Sequence, residues 1–296
     1  MQHILTLKKQ LENAGYKSPQ IFHHALLLLI KVTRQSAQDI LTCKKPLTQD
    51  QQQKLDLIVY ELTTLNKPLA YILEKIPFCN IELFIQPPVL IPRPETEEWV
   101  HALAIELAEL RLRNRTTEEQ KREFSILDVC TGSGCIALAL AHELPHARVI
   151  GADICPAALV LAQKNQAKTN LNNCQFIQSN MFANITKTFD VIVANPPYVS
   201  ETEWTTLAPH ITRWENKQAL VAEQNGYAWA QHIIAHAPRF LKKSGLLALE
   251  CGRDQAETLY TFAQSCGYTN IRIKRDFSGY NRVLMGNYEV VTHSAH

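Results

Sequence analysis

From Phe124 onward the chain alternates short apolar runs with longer stretches of helical periodicity, and few folds accept that order. FSILDV, RVIGAD, CQFIQ, FDVIVA and GLLALE read as strands. Between them CIALALAHEL, CPAALVLAQKNQAKT, GYAWAQHIIAHAPRF and DQAETLYTFAQSC read as helices, and NIRIKRD with NRVLMG reads as a closing antiparallel pair. Repeated βα units join parallel strands by crossovers, so helices must cover both faces of one sheet. The expected fold is α/β, a doubly wound, mostly parallel seven-stranded sheet. Such sheets take their ligands beyond the carboxyl ends of the strands.

The first segment reads differently. Leu55, Ile58, Val59, Leu62 and Leu65 keep helical spacing, and Ser18-Pro19 has the form of a helix start. The pattern predicts a helical bundle over 1–75, a β-hairpin and proline-rich linker over 76–94, and the α/β domain over 95–296. Alternation around Phe78–Ile85 marks the hairpin, and Pro87, Pro88, Pro92 and Pro94 stiffen the connector beyond it. Helical spacing resumes at Glu95 and fades in the charged stretch RLRNRTTEEQKRE, read as a surface loop.

Bulk properties narrow the function classes. A net charge of +2 gives no footprint for a nucleic-acid binder. Residues 1–75 carry ten Lys/Arg against six Asp/Glu, so this segment is at +4 and the remainder at −2. Eight cysteines are scattered without a C-x-x-C pair or a His cluster at zinc spacing, which argues for reduced thiols and against a metal site. No secretory signal is expected at the amino terminus, and ALLLLIKV is too short to span a bilayer. A cytoplasmic monomer is expected.

Three features fall at the ends of the first, second and fourth strands. In LDVCTGSGCIALAL, Gly132 and Gly134 sit between a strand and a helix, where glycine permits a tight turn and close ligand approach. A phosphate cradle would want more glycine and a lysine, so a P-loop is a poor reading. Asp153 ends the next strand, placed to accept both hydroxyls of a ribose. Asn195-Pro196-Pro197-Tyr198 ends the fourth. Two prolines remove N–H groups and hold Asn195 and Pro196 extended, so this loop offers acceptors to a ligand that brings donors.

DVCTGSGCIALA, VIGAD and VANPPYV resemble the class I methyltransferases that use S-adenosylmethionine. PLAYIL, IPRPETE and RDFSGYNRV resemble the protein-glutamine methyltransferases that modify peptide chain release factors, and the likeness covers nearly the whole chain. The resemblance implies a cofactor loop over Cys130, Thr131, Gly132, Ser133 and Gly134, with Asp153 at the ribose and Asn180 and Met181 near the adenine. It implies that Asn195, Pro196, Pro197 and Tyr198 receive the substrate glutamine, and that WENKQAL, with Glu215 and Leu220, flanks them. Release factors are the implied partners, with no stable nucleic-acid binding and no membrane. Three positions depart from the family: Cys130 stands for a frequent glycine, Asn180 for an acidic residue, and YILEKIPF lacks a glycine after its tyrosine. A large-subunit ribosomal protein is the rival substrate, followed by adenine in nucleic acid, and a non-catalytic binding protein comes last.

Remaining candidates carry less. His23 and His24 read as packing or surface residues. Trp204 and Trp214 are candidates for the cleft, and Arg93 is balanced between the cofactor pocket and a linker ion pair. Cys135 opens a helix, where a thiol pKa can fall.

Overall fold

The computed structural model describes residues 1–42, 45–113 and 123–289 of the 296. Cys43 and residues 114–122 of the charged stretch lie outside the described residues. The chain divides into two compact units, one of Met1–Ile76 with Ala208–Trp214, the other of Pro77–Leu207 with Glu215–His296.

The first unit contains α1 (Gln2–Asn13), α2 (Ile21–Thr33), α3 (Ala37–Thr42), α4 (Gln49–Thr63) and α5 (Leu69–Leu73). Ile4, Leu7 and Leu11 of α1 meet Ala25, Leu28 and Leu29 of α2 and Leu55, Ile58, Val59 and Leu62 of α4 in one apolar cluster. Each such aliphatic side chain contributes about 1.5–3 kcal/mol on burial. Thr48 starts α4 with a reciprocal capping box to Gln51, which stabilises that end by about 0.5–2 kcal/mol. Two expectations shift here. Ser18 accepts from the Gln20 N–H at 3.1 Å in a turn, and α2 starts later at Ile21. Leu65 lies beyond the end of α4 and is exposed.

β1 (Lys75–Phe78) and β2 (Ile81–Phe84) form the hairpin, whose first strand begins one residue before the expected boundary. Glu74 ends α5 with φ +64°, a left-handed conformation in which glycine carries no Cβ penalty.

The second unit continues with α6 (Pro94–Arg113), β3 (Phe124–Val129), α7 (Cys135–Glu143), β4 (Ala147–Asp153), α8 (Pro156–Thr169), β5 (Cys174–Gln178) and β6 (Phe189–Ala194). After it come α9 (Glu201–Trp204), α11 (Ala228–His236), β7 (Leu241–Glu250), α12 (Ala256–Ser265), β8 (Tyr268–Arg275) and β9 (Asn281–Tyr288), while α10 (Pro209–Thr212) belongs to the first unit. Helix α6 runs through Arg113, so the start of the charged stretch is helical rather than loop.

The seven strands stand in the order β5-β4-β3-β6-β7-β9-β8. The first five are parallel, and β9 runs antiparallel to both β7 and β8. The winding reverses at β3 in the centre: β4 and β5 lie on one side, β6 and β7 on the other. That is the topological switch at which doubly wound sheets open a crevice. Ile126, Leu127, Val191, Ile192, Val193, Leu247, Ala248 and Leu249 are buried, as continuous apolar strands covered on both faces must be.

Candidate active site

The crevice holds a cavity of about 790 Å³. Its walls include Cys130, Gly132, Asp153, Asn180, Met181, Asn195 and Pro197 from the expected site. Thr131, Ser133, Gly134, Pro196 and Tyr198 are not among the lining residues.

The turn is built from its neighbours. Thr131 N–H donates to the Ala152 carbonyl at 3.0 Å, and the Thr131 hydroxyl donates to Asp128 Oδ2 at 2.5 Å. Asp128 Oδ2 also accepts from Ala137 N at 3.1 Å. Burial pushes the Asp128 carboxyl up to about 7 despite these donors. Cys130 takes φ +62°, so this departure from glycine falls on left-handed backbone. Its thiol lies 3.8 Å from the Met181 sulfur, and burial raises its pKa. Gly134 begins α7 at φ +81°, and a Cβ there would stand 2.7 Å from the Phe176 ring. Cys135 is buried and its thiol pKa is raised by burial, opposite to the fall that a helix start suggests, because desolvation outweighs the helix end here.

Asp153 receives Gly132 N–H on Oδ2 and Cys155 N–H on Oδ1, both at 2.8 Å. These bonds aim the carboxylate across the turn, and each oxygen keeps a second lone pair for a hydroxyl. Burial raises its pKa against the pull of those N–H groups. Ile154, Ala158, Val89 and Leu90 add apolar wall beside it. An acceptor pair for two hydroxyls, an apolar slot and an open turn at Gly132, where an added Cβ would meet nothing within 4 Å, fit a nucleoside such as that of S-adenosylmethionine.

Another wall is the Asn195 loop. Asn195 Nδ2 donates to Thr96 Oγ1 at 3.2 Å, and the Thr96 hydroxyl donates to Glu250 Oε2 at 2.7 Å. Trp99 Nε1 donates to the same carboxylate oxygen at 2.7 Å. At the loop's far end the Tyr198 carbonyl accepts from Gln255 Nε2 at 2.9 Å, and Val199 N–H donates to the Leu220 carbonyl at 2.8 Å. Gly226 passes so close that a Cβ would lie 2.2 Å from the Tyr198 carbonyl oxygen. Burial raises the Tyr198 phenol pKa, keeping it protonated.

A third side comes from the proline connector and WENKQAL. Arg93 donates through Nη2 to both oxygens of Glu215 at 2.8 Å, and Asn216 N–H donates to the Pro88 carbonyl at 2.9 Å. Arg93 is thus an ion-pair residue, and Asn216, Lys217, Gln218 and Ala219 run directly into the cavity wall. Trp204 and Trp214 do not line it: Lys217 lies over the Trp204 ring at 6.0 Å, and Trp214 Nε1 donates to the Leu65 carbonyl at 3.1 Å.

Sequence reading missed Trp229 and His232, which line the cavity from α11. Burial and the neighbouring His236 lower the His232 pKa, so it adds no charge near neutrality. It also missed Asn165, fully buried on α8, which donates to the Phe84 and Ser133 carbonyls at 3.1 and 3.0 Å and accepts from Phe84 N–H at 2.6 Å. That side chain ties the hairpin to the turn. Glu250 was missed too, although an acid closing an otherwise buried strand is the same signal that Asp153 gave.

The methyltransferase small domain family model matches residues 112–221. A release factor glutamine methyltransferase of Vibrio cholerae is 37% identical over 289 residues, covering 95% of this chain and 94% of its own. One of Pasteurella multocida is 38% identical over 300 residues, covering 96% of each. The catalytic domain of hMettl16, solved with an MAT2A 3′UTR hairpin, superposes with a TM-score of 0.53 at 12% identity over 79% of this chain and 80% of that one, a likeness of fold.

Proposed function

The chain belongs to the release factor glutamine methyltransferase family, and we propose that it transfers the methyl group of S-adenosylmethionine to the side-chain amide nitrogen of a glutamine in peptide chain release factors, in the Gly-Gly-Gln segment. The observation that carries this reading is the placement of Asn195 and Asp153 on the walls of one cavity, an amide acceptor on one side and a nucleoside acceptor on the other.

An amide nitrogen is a poor nucleophile, since its lone pair is delocalised into the carbonyl. Its NH2 group has two donors. The loop meets them with the Asn195 Oδ1 and the Pro196 carbonyl, while Pro196 and Pro197 bring no N–H to compete. Holding both hydrogens fixes the nitrogen and stabilises positive charge that develops on it. When bound, S-adenosylmethionine would supply an electrophilic methyl group on a sulfonium, with S-adenosylhomocysteine as the leaving group and one amide proton passing to water. Asp153 anchors the ribose and Asn180 and Met181 flank the adenine, so Asn195 meets a reactant already in place. Such positioning is worth about 7–11 kcal/mol in favourable cases. Pro197 lines the slot for the planar amide, with Tyr198 next to it in the chain. The basic helical unit selects the protein substrate, and the activity belongs to the cytoplasm, where release factors act.

Labelled S-adenosylmethionine, offered in parallel with release factor, large-subunit ribosomal protein and DNA, tests the assignment. Label entering release factor alone is the expected result. Label entering ribosomal protein or DNA in its place would overturn it.

A further inference from the structure

An asparagine that must accept a hydrogen bond works in only one of its two amide orientations. The Nδ2 and Oδ1 ends have nearly the same shape, so partners must choose between them. The Asn195 loop cannot choose, because its next two residues lack N–H groups. The choice comes from elsewhere in the fold.

Thr96, 1% exposed, places Oγ1 at 3.2 Å from the Asn195 amide. A hydroxyl has one proton to give. Glu250 Oε2, 2.7 Å away, takes it, and the same oxygen accepts the Trp99 indole N–H at 2.7 Å. Thr96 and Trp99 both donate to Oε2, and these two bonds pull against the burial that raises the Glu250 pKa. With its proton committed to Glu250, Thr96 presents only lone pairs to Asn195. The NH2 end of Asn195 satisfies them, whereas Oδ1 in that place would set lone pairs against lone pairs. We propose that Thr96 and Glu250 are positioning residues that lock the Asn195 amide with Nδ2 toward Thr96 and Oδ1 toward the substrate.

The relay rests on the reading that Asn195 holds the glutamine amide. A reversed Asn195 would show two donors to a substrate group that is itself a donor. Glu250 closes β7, Asn195 comes directly after β6, and Thr96 lies in the first turns of α6, so three separate elements set one amide. Trp99, one turn beyond Thr96 on α6, holds Glu250 from the same helix.

The test is a double-mutant cycle in single turnover at saturating S-adenosylmethionine, with cofactor affinity and melting temperature measured on each preparation. Thr96→Val removes the hydroxyl while keeping the shape, and Thr96→Ser restores it. Thr96→Val is expected to slow methyl transfer at least tenfold, with cofactor affinity within twofold. Thr96→Ser should recover to within threefold of the parent. In an Asn195→Ala background, Thr96→Val should change the rate less than twofold, because the group it positions is gone. If Thr96→Val transfers methyl normally while Asn195→Ala is slow, the relay is wrong and the amide clamp stands. Equal losses from Thr96→Val in both backgrounds would also overturn it, as they would mark an effect that does not pass through Asn195. A normal rate in Asn195→Ala alone would remove the clamp, and the relay with it.

Discussion

The two walls of the cavity are built in opposite ways. The glycine turn is held by near neighbours in sequence. Thr131 bonds to Asp128 three residues back, and Gly132 to Asp153 twenty-one residues on. The Asn195 loop is held from afar, with Thr96 ninety-nine residues before it and Gln255 fifty-seven after Tyr198. A wall that binds a common cofactor is specified by a short strand–turn–helix unit. A wall that must aim one particular amide is set where several elements meet. Damage to the turn should therefore register in cofactor affinity, and damage to the remote supports should register in turnover.

The largest expected effect on turnover is at the loop. Asn195→Ala removes one preorganised acceptor, so turnover should fall about 10²–10³-fold, while cofactor affinity stays within about tenfold. Single-turnover kinetics beside calorimetric titration would show the split, and loss of affinity to match would erase the contrast between the walls.

Gly226→Ala attacks the same loop from a distance. Its φ of +88° and a Cβ at 2.2 Å from the Tyr198 carbonyl oxygen force the backbone to shift. The cost should be at least about 2 kcal/mol, with reduced turnover in the molecules that still fold. Chemical denaturation and turnover per folded molecule check both parts, and a neutral result would show that the loop tolerates movement.

Asp153→Ala strikes the turn. It removes the acceptor for the ribose and frees the Gly132 and Cys155 N–H groups. Cofactor affinity should fall by up to about 10²–10⁴-fold, on the basis of two charged hydrogen bonds of about 1.5–3 kcal/mol each. The rate at saturating cofactor should change little.

Asp128→Asn separates stability from both. The buried carboxyl titrates at about 7, against about 3.9 in an unfolded chain. Between these values the folded protein keeps a proton that the unfolded chain releases, so stability is full at the acid end and falls as pH rises toward 7. Asparagine has no such proton to lose. Its melting temperature relative to the parent should therefore rise between about pH 4 and pH 7, and a constant difference across that range would contradict the buried charge.

How much of this was legible obeys the same division. The five parallel strands and the turn were readable because period, glycine and a terminal Asp lie within a few residues of one another. Asn165 was not, since an asparagine inside a helix carries no local mark of the two carbonyls it holds on other elements. Cys135 was misread because a helix start is visible in sequence and desolvation is not. Thr96 stood inside a recognised motif, yet its partner Glu250 lies 154 residues away. Tryptophans were equally ambiguous: Trp229 lines the cavity, whereas Trp214 bonds to the Leu65 carbonyl in the helical unit.

The smallest effect concerns Glu74. Glu74→Gly relieves left-handed backbone at φ +64° but adds freedom to the unfolded chain. These opposing contributions of about 1 kcal/mol each should leave thermal stability nearly unchanged. A large change in melting temperature in either direction would show that the Glu74 side chain, which pairs with Lys31, matters more than its backbone.

The separation of the two walls is tested most directly by a crossed measurement on Asp153→Ala and Asn195→Ala. Calorimetry gives the affinity for S-adenosylmethionine, and single turnover at saturating cofactor gives the rate of methyl transfer to release factor. The prediction is a crossing: Asp153→Ala binds cofactor poorly and transfers at a near-normal rate, while Asn195→Ala binds well and transfers slowly. Parallel losses of affinity and rate in both variants would contradict it.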